Sequence, residues 1–252
     1  MNRPLLLAVL LVAACRTVPY TGRKQLALIP ADQEAALGVS AYRDTLKKEK
    51  ISTDPEKTAM VERVGRRIAA AADKPDFQWE FKLIEDDKVV NAFCLPGGKV
   101  AVYTGLLKVA QDDTGLAVVM GHEVAHALAR HGGERMSQGM LASLGGVALA
   151  VAMAEKPGET QALAQQAYGL GVGVGVLLPY SRGHEAEADH IGLILMAKAG
   201  YDPRRAVDFW QRMSAGEKDP GLARFLQTHP TGEQRIARIK ELLPEALKHY
   251  KP

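Results

Sequence analysis

Cysteine is almost missing from this chain: Cys15 and Cys94 are the only two in 252 residues, so at most one disulfide is possible, and none if Cys15 carries a lipid. A dense basic stripe is missing as well. The formal net charge is +3, which gives no support for a nucleic-acid partner. No clean apolar run reaches the roughly 20 residues that a membrane-crossing helix needs, which disfavours an integral membrane protein. No unit repeats with a period of roughly 20 to 50 residues, so solenoids and propellers are excluded. Strand signals stop after Tyr103. What remains, with 47% apolar and 24% charged residues, is enough for one compact domain to bury a core without staples.

The first residues stand apart. Asn2 and Arg3 form a short basic region, and Leu5 to Val12 form an apolar run too short to span a bilayer. Residues 1–14 therefore read as a secretory signal, outside the fold. Leu11-Val12-Ala13-Ala14-Cys15 resembles the bacterial lipobox, whose cysteine is acylated and becomes the mature N-terminus. The alternative is a plain signal cut after Ala14. A lipid on Cys15 would anchor the chain to the membrane without a spanning helix. Arg16, rather than aspartate, follows Cys15; in a Gram-negative cell this points to the outer membrane facing the periplasm. Residues 15–30, with Pro19, Gly22 and Pro30, read as a tether, and residues 31–252 as the domain proper. Cys94, in an apolar stretch, reads as a buried and inert thiol.

Helical amphipathicity runs from Asp32 to Lys50. Asp54-Pro55 predicts an N-cap and first turn of a second helix reaching about Ala72. Phe77, Trp79, Phe81 and Leu83 alternate with polar residues, as a strand does. Residues 89–95 and 99–103 form a predicted hairpin around Pro96-Gly97-Gly98. Asp112 or Asp113 caps a helix expected to end at Gly132-Gly133. Residues 134–178 are rich in Ala and Gly, with a break at Glu155-Lys156-Pro157-Gly158. Small residues favour close packing of the two arms, and a membrane-facing hairpin is the other reading. Ser181 is expected to cap the next helix and Gly200 to end it. Asp202-Pro203 opens another, and a last amphipathic helix follows His229-Pro230. The expected fold class is α+β, mostly helical, with a small N-terminal sheet.

The chemistry is concentrated in His122-Glu123-Val124-Ala125-His126. Residues four apart on a helix lie about 40° apart around its axis, so both imidazoles can reach one ion. Glu123 sits on the adjoining rim, where it can take a proton from a water that a metal has acidified. Zinc in a catalytic site wants a third protein ligand and an open fourth position. A histidine-rich continuation is excluded, because Ala129 and Gly132 stand where it would need glycine and histidine. His131 is about 140° round from His126 and reads as a last-turn residue near the helix end. The third ligand is then a carboxylate from a second helix. In Ser181-Arg182-Gly183-His184-Glu185-Ala186-Glu187-Ala188-Asp189, Glu185 and Asp189 share a face one turn apart. Glu185 is the predicted ligand, Asp189 the group that orients a ligand imidazole. Glu187 points elsewhere and reads as a solvated charge, with His184 and His190 flanking the face.

His-Glu-x-x-His followed by Ser-Arg-x-x-Glu-x-x-Ala-Asp resembles the metallopeptidase family of the heat-shock protease HtpX and the CAAX prenyl endopeptidases, which also has soluble periplasmic members such as BepA and LoiP. Asn91 to Gly98 with Tyr103-Thr104-Gly105-Leu106, Ala199 to Pro203, and Thr228-His229-Pro230 with Arg235 are similar to further stretches of that family, so the likeness covers roughly residues 17 to 240.

The resemblance implies a gluzincin-type catalytic domain holding one zinc per chain, with polypeptide substrates. It implies that Asn91, Ala92 and Phe93 form a cleft edge along which a peptide adds as a strand. It also implies that His229 and Arg235 lie near the zinc. There they would stabilise the tetrahedral intermediate, and His229 alternatively would close the site by binding the metal. Cys94 departs from the usual small apolar residue. The long helical-repeat extension of BepA has no counterpart after Tyr250. The function expected is cleavage of envelope proteins by Glu123-assisted attack of water. A metal-bearing chaperone or scaffold with latent proteolysis is the rival expectation. Oligomeric state has no signal in the sequence.

Overall fold

The structure, a computed structural model, describes residues 15–216 and 218–251, without the side chains of Val176, Pro179, Tyr180 and Arg224. The expected signal segment, residues 1–14, lies outside the described residues. In chain order the strands are β1 (Cys15–Thr17), β2 (Lys24–Leu26), β3 (Glu80–Ile84), β4 (Ala92–Leu95) and β5 (Lys99–Tyr103). The helices are α1 (Ala31–Leu46), α2 (Pro55–Ala72), α3 (Thr104–Ala110), α4 (Asp113–Leu128), α5 (His131–Ala152), α6 (Gly158–Val172), α7 (Leu178–Lys198), α8 (Arg205–Ala215), α9 (Ala223–Thr228) and α10 (Glu233–Ala246). A π-helical turn, Gly173–Leu177, joins α6 to α7. The fold is α+β and predominantly helical. The described chain divides into two compact units, residues 31–129 with 186–251 and residues 15–30 with 130–185; the division falls within α7.

The larger unit holds the three-stranded sheet, in the order β3-β5-β4. β3 runs parallel to β5, with Phe81 opposite Val100, and β4 runs antiparallel to it, with Cys94 opposite Val100. Every residue of β5 is buried, as a central strand covered on both faces requires. The predicted turn is present: Gly97 and Gly98 take φ of +88° and +83°, which residues with a β-carbon adopt only under strain. β3, expected from Phe77, begins at Glu80. Gln78 and Glu80 donate to the carbonyls of Gly97 and Gly98, so Phe77 and Trp79 lie alongside the turn rather than along β5. Cys94 is buried, and burial first, then the charge of Glu123, pushes its thiol pKa well above the usual range.

α2 starts as predicted. The Asp54 side chain accepts from the Lys57 backbone at 3.0 Å, Pro55 occupies the first turn, and Val61, Val64 and Ile68 are buried at helical spacing. α4 is capped by Asp112, which accepts from the Gly115 backbone at 2.8 Å, and it packs on α2 and β4.

Three boundaries differ from the expectations. α4 ends at Leu128 because Arg130 turns left-handed, with φ of +54°. His131 is therefore the first residue of α5, not a last-turn residue. Ser181 lies inside α7, since the π turn lets the chain continue as helix without a break. Glu187 is buried, not solvated, because α7 is covered over most of its circumference beyond His184. Gly200 ends α7 as expected, with φ of +77°.

In the smaller unit, the segment expected as a plain tether carries an antiparallel pair, β1 with β2, Cys15 lying opposite Leu26. Arg23, in the loop between them, makes a two-pronged ion pair with Glu134 of α5 at 3.0 and 2.7 Å. Glu134 also accepts from His184 Nε2 at 2.9 Å, and the His131 ring stacks on His184 at 4.2 Å. Burial would raise the Glu134 pKa, but the bonds from His184 and Arg23 outweigh it and bring it to about 2. α5 and α6 pack on small residues: Tyr168 lies over Gly145 and Gly146 and donates to Ala142 O at 2.8 Å.

Candidate metal centre

The site is built on α4, whose HExxH face is buried: His122 is 2% exposed and Glu123 5%. His122 Nε2 lies 3.1 Å from His126 Nε2 and 3.1 Å from Nδ1 of His229. Ligand atoms of His122, His126, Glu185 and His229 all lie within 4.8 Å of one another. Glu185 reaches this set through α7, one turn before Asp189 on the same face.

The donor set fits zinc. Arms of about 2.05 Å in a tetrahedron place neighbouring ligand atoms about 3.3 Å apart, close to the observed imidazole spacings. Three imidazoles and a carboxylate are also a nitrogen and oxygen set that zinc accepts.

Asp189 holds the first imidazole in place. Its Oδ1 lies 3.0 Å from His122 Nδ1, so that Nδ1–H donates to the carboxylate and Nε2 keeps its lone pair for a metal. Arg235 in turn grips Asp189, Nη2 to Oδ1 at 2.7 Å and Nε to Oδ2 at 2.9 Å. Burial opposes the charge on Asp189, while Arg235 and then His122 keep its pKa below the usual carboxylate value. Arg235 also donates to Pro230 O at 3.0 Å and lies flat on Trp210, 3.3 Å from the ring centroid. One guanidinium thus ties α7, α8 and the loop that carries His229.

His229 ends α9. Its backbone N–H donates to Phe225 O at 2.8 Å, its ring packs on Phe225, and its Nε2 lies 3.5 Å from Glu123 Oε1. Asn91 precedes β4, and its carbonyl accepts from Tyr103 N at 3.0 Å. β4, with Ala92 buried and Phe93 half-buried, is an edge of the three-stranded sheet and packs on α4. Cys15 is exposed at the start of β1.

Sequence reasoning missed the residues that let these groups meet. A β-carbon on Gly192 would lie 2.9 Å from the His122 backbone nitrogen, and one on Gly121 would lie 2.9 Å from Gly192 O. Two helices therefore cross backbone to backbone beside the first histidine. The signal was a glycine just before the His-Glu pair and another three residues after Asp189. Trp210, which edges onto His122 at 5.8 Å, carried no signal at all.

Two helix-borne imidazoles one turn apart, a carboxylate from a second helix and a glutamate beside the first imidazole define the centre of a metal-dependent hydrolase. Residues 55–243 match peptidase family M48, and the chain belongs to that family. It is 37% identical over 233 residues to the mitochondrial metalloendopeptidase OMA1 of Schizosaccharomyces pombe, covering 91% of this chain and 66% of that protein. It is 34% identical over 242 residues to the mitochondrial metalloendopeptidase OMA1 of Homo sapiens, covering 91% and 46%. A putative beta-barrel assembly-enhancing protease of Vibrio cholerae is 30% identical over 234 residues, covering 89% and 47%. The chain spans about two thirds of the first of these relatives and about half of the other two.

Proposed function

We propose that this protein is a zinc-dependent endopeptidase of the cell envelope, lipid-anchored through Cys15, that cleaves misfolded or misassembled proteins there. The observation that carries the reading is the convergence of His122, His126 and Glu185 with Glu123 on the same helix as the two histidines. Zinc, when bound, supplies Lewis acidity toward the scissile carbonyl and the attacking water. Glu123 takes the proton of that water and passes it to the leaving amine. Asp189 fixes the His122 ring, and Arg235 fixes Asp189. The edge formed by Asn91 and β4 accepts the substrate as an added strand, a mode in which main-chain bonds align any sequence.

The position of His229 favours a latent resting state. Its Nδ1 lies 3.1 Å from His122 Nε2, and with zinc held by His122, His126 and Glu185 it would be a fourth protein ligand in the place that water needs. Its Nε2 faces the general base. Opening then requires the turn Thr228-His229-Pro230 to move, which breaks the Arg235 bond to Pro230 O. Zinc analysis with casein cleavage by wild type and Glu123→Gln tests the reading. Zinc in both proteins and cleavage only by wild type is expected. Equal cleavage by both would overturn it, and zinc without cleavage in any variant would favour a scaffold.

A further inference from the structure

The hairpin of α5 and α6 is built inside out. Two of its polar groups turn inward: Gln165 Nε2 donates to Gly146 O at 3.0 Å and Tyr168 Oη to Ala142 O at 2.8 Å, while at the exposed tip Gln161 Nε2 donates to Lys156 O at 2.9 Å. Ser143 Oγ donates back to Gly139 O of its own helix at 2.9 Å. The apolar side chains turn outward. Met140, Leu144, Val147 and Val151 are spaced by four, three and four residues and so form one stripe along α5. Leu163 and Leu170 of α6, then Val174 and Leu178, form a second. Leu144 is 64% exposed and Val151 73%, values more usual for lysine than for leucine or valine.

Charge is distributed to match. No Asp, Glu, Lys or Arg occurs at residues 136–154 or 160–181; Glu155, Lys156 and Glu159 sit at the tip, Arg135 and Arg182 at the base. Gln166 is the exposed amide beside the second stripe. Polar groups satisfied internally and apolar groups facing out are what a hydrocarbon environment demands. A protein partner would instead meet a polar rim offering about one hydrogen bond per 100–200 Å².

Cys15 indicates which surface covers the stripes. It lines an open groove of about 500 Å³ with Leu26, Leu141, Tyr168, Val172 and Leu177 on its apolar side and Lys24, Gln25, Glu134 and Gln138 on its polar side. A lipid carried on Cys15 would leave the protein at this groove, which the hairpin itself lines through Leu141, Tyr168 and Val172. No helix among the described residues is long and apolar enough to cross a membrane.

We propose that the α5–α6 hairpin lies along the phospholipid surface, its two stripes in the acyl boundary, as a second membrane contact beside Cys15. The lipid anchor belongs to the proposed function, whereas the hairpin's own contact does not depend on it. Amphipathic surface helices of this kind add their own buried apolar area to that of a lipid anchor. With no cation on the stripes, the attachment is apolar and independent of anionic lipid.

The test uses purified Cys15→Ser chain and sedimentation with vesicles of phosphatidylcholine alone or of phosphatidylethanolamine with phosphatidylglycerol. Binding to both is expected, unchanged when salt rises from about 0.1 to about 0.5 M. The triple variant Leu144→Asp/Val147→Asp/Val151→Asp should bind at least roughly ten-fold more weakly. A second variant, Leu163→Asp/Leu170→Asp, should do the same and keeps the test open if the first fails to fold by circular dichroism. Absence of vesicle binding by the Cys15→Ser chain overturns the proposal. So does binding that salt abolishes, or sedimentation velocity showing that the stripes join two copies that vesicles do not separate. Casein cleavage without vesicles is measured on each protein. If it is absent throughout while vesicle binding holds, the peptidase reading falls and the membrane contact stands.

Discussion

Gly192 of α7 approaches His122 of α4 so closely that a β-carbon there would stand 2.9 Å from the His122 backbone nitrogen and 3.0 Å from the Gly121 carbonyl carbon. The neighbours are backbone, which cannot swing aside as a side chain can. Gly192→Ala should therefore separate the two helices, destabilise the protein by about 1 to 3 kcal/mol and weaken zinc retention. Gly183→Ala, on the same helix, meets nothing within 4 Å and should stabilise by roughly 0.5 to 1 kcal/mol. Thermal unfolding and zinc content of the two variants check this. Loss of zinc in both, or in neither, would show that the close crossing does not govern the site.

Asp189 is the hinge between His122 and Arg235. Asp189→Asn keeps the shape but removes the charge that balances a guanidinium only 7% exposed. Zinc affinity should fall roughly 10- to 100-fold, as it does when a carboxylate behind a ligand histidine is lost. Competition with a chelator measures it, and unchanged affinity would assign Asp189 to folding alone.

His229 separates two roles by the sign of one effect. As the resting ligand that closes the site, it should on removal raise basal cleavage several-fold in His229→Ala, with zinc content nearly unchanged. As an oxyanion donor, it should on removal lower kcat by roughly 100- to 1000-fold. Arg235→Ala should lose zinc affinity as Asp189→Asn does, because Arg235 is held by Asp189 and Trp210.

Glu134 should make the smaller unit acid-sensitive. Its pKa is depressed from 4.5 to about 2, so its contribution is present above the unfolded value and is lost as pH falls from about 5 toward 2. The size is on the order of 3 kcal/mol. Melting temperatures at several pH values, for wild type and Glu134→Gln, check it. The variant should start lower at neutral pH and lose less on acidification. Parallel curves would show that Glu134 titrates alike in both states.

The sequence determined what depends on a turn or two of chain. His122 and His126, and Glu185 and Asp189, share helix faces because four residues of α-helix return almost to the same azimuth. The caps at Asp54 and Asp112, the turn at Gly97-Gly98 and the stop at Gly200 depend equally on local backbone sterics. Tertiary structure decided the rest. His229 and Arg235 lie more than a hundred residues from His122, and their place depends on how α9 and α10 pack. Glu187 has the look of a surface charge and is buried, because helical spacing gives its direction but not what lies there. The arms 134–178 read as closely packed or membrane-facing, and the structure shows the close packing, with Tyr168 over Gly145. Gln165 and Tyr168 face Gly145 and Gly146 inside the hairpin, Leu144, Val147, Leu163 and Leu170 face out, and only the pairing of the two helices could assign which side was which.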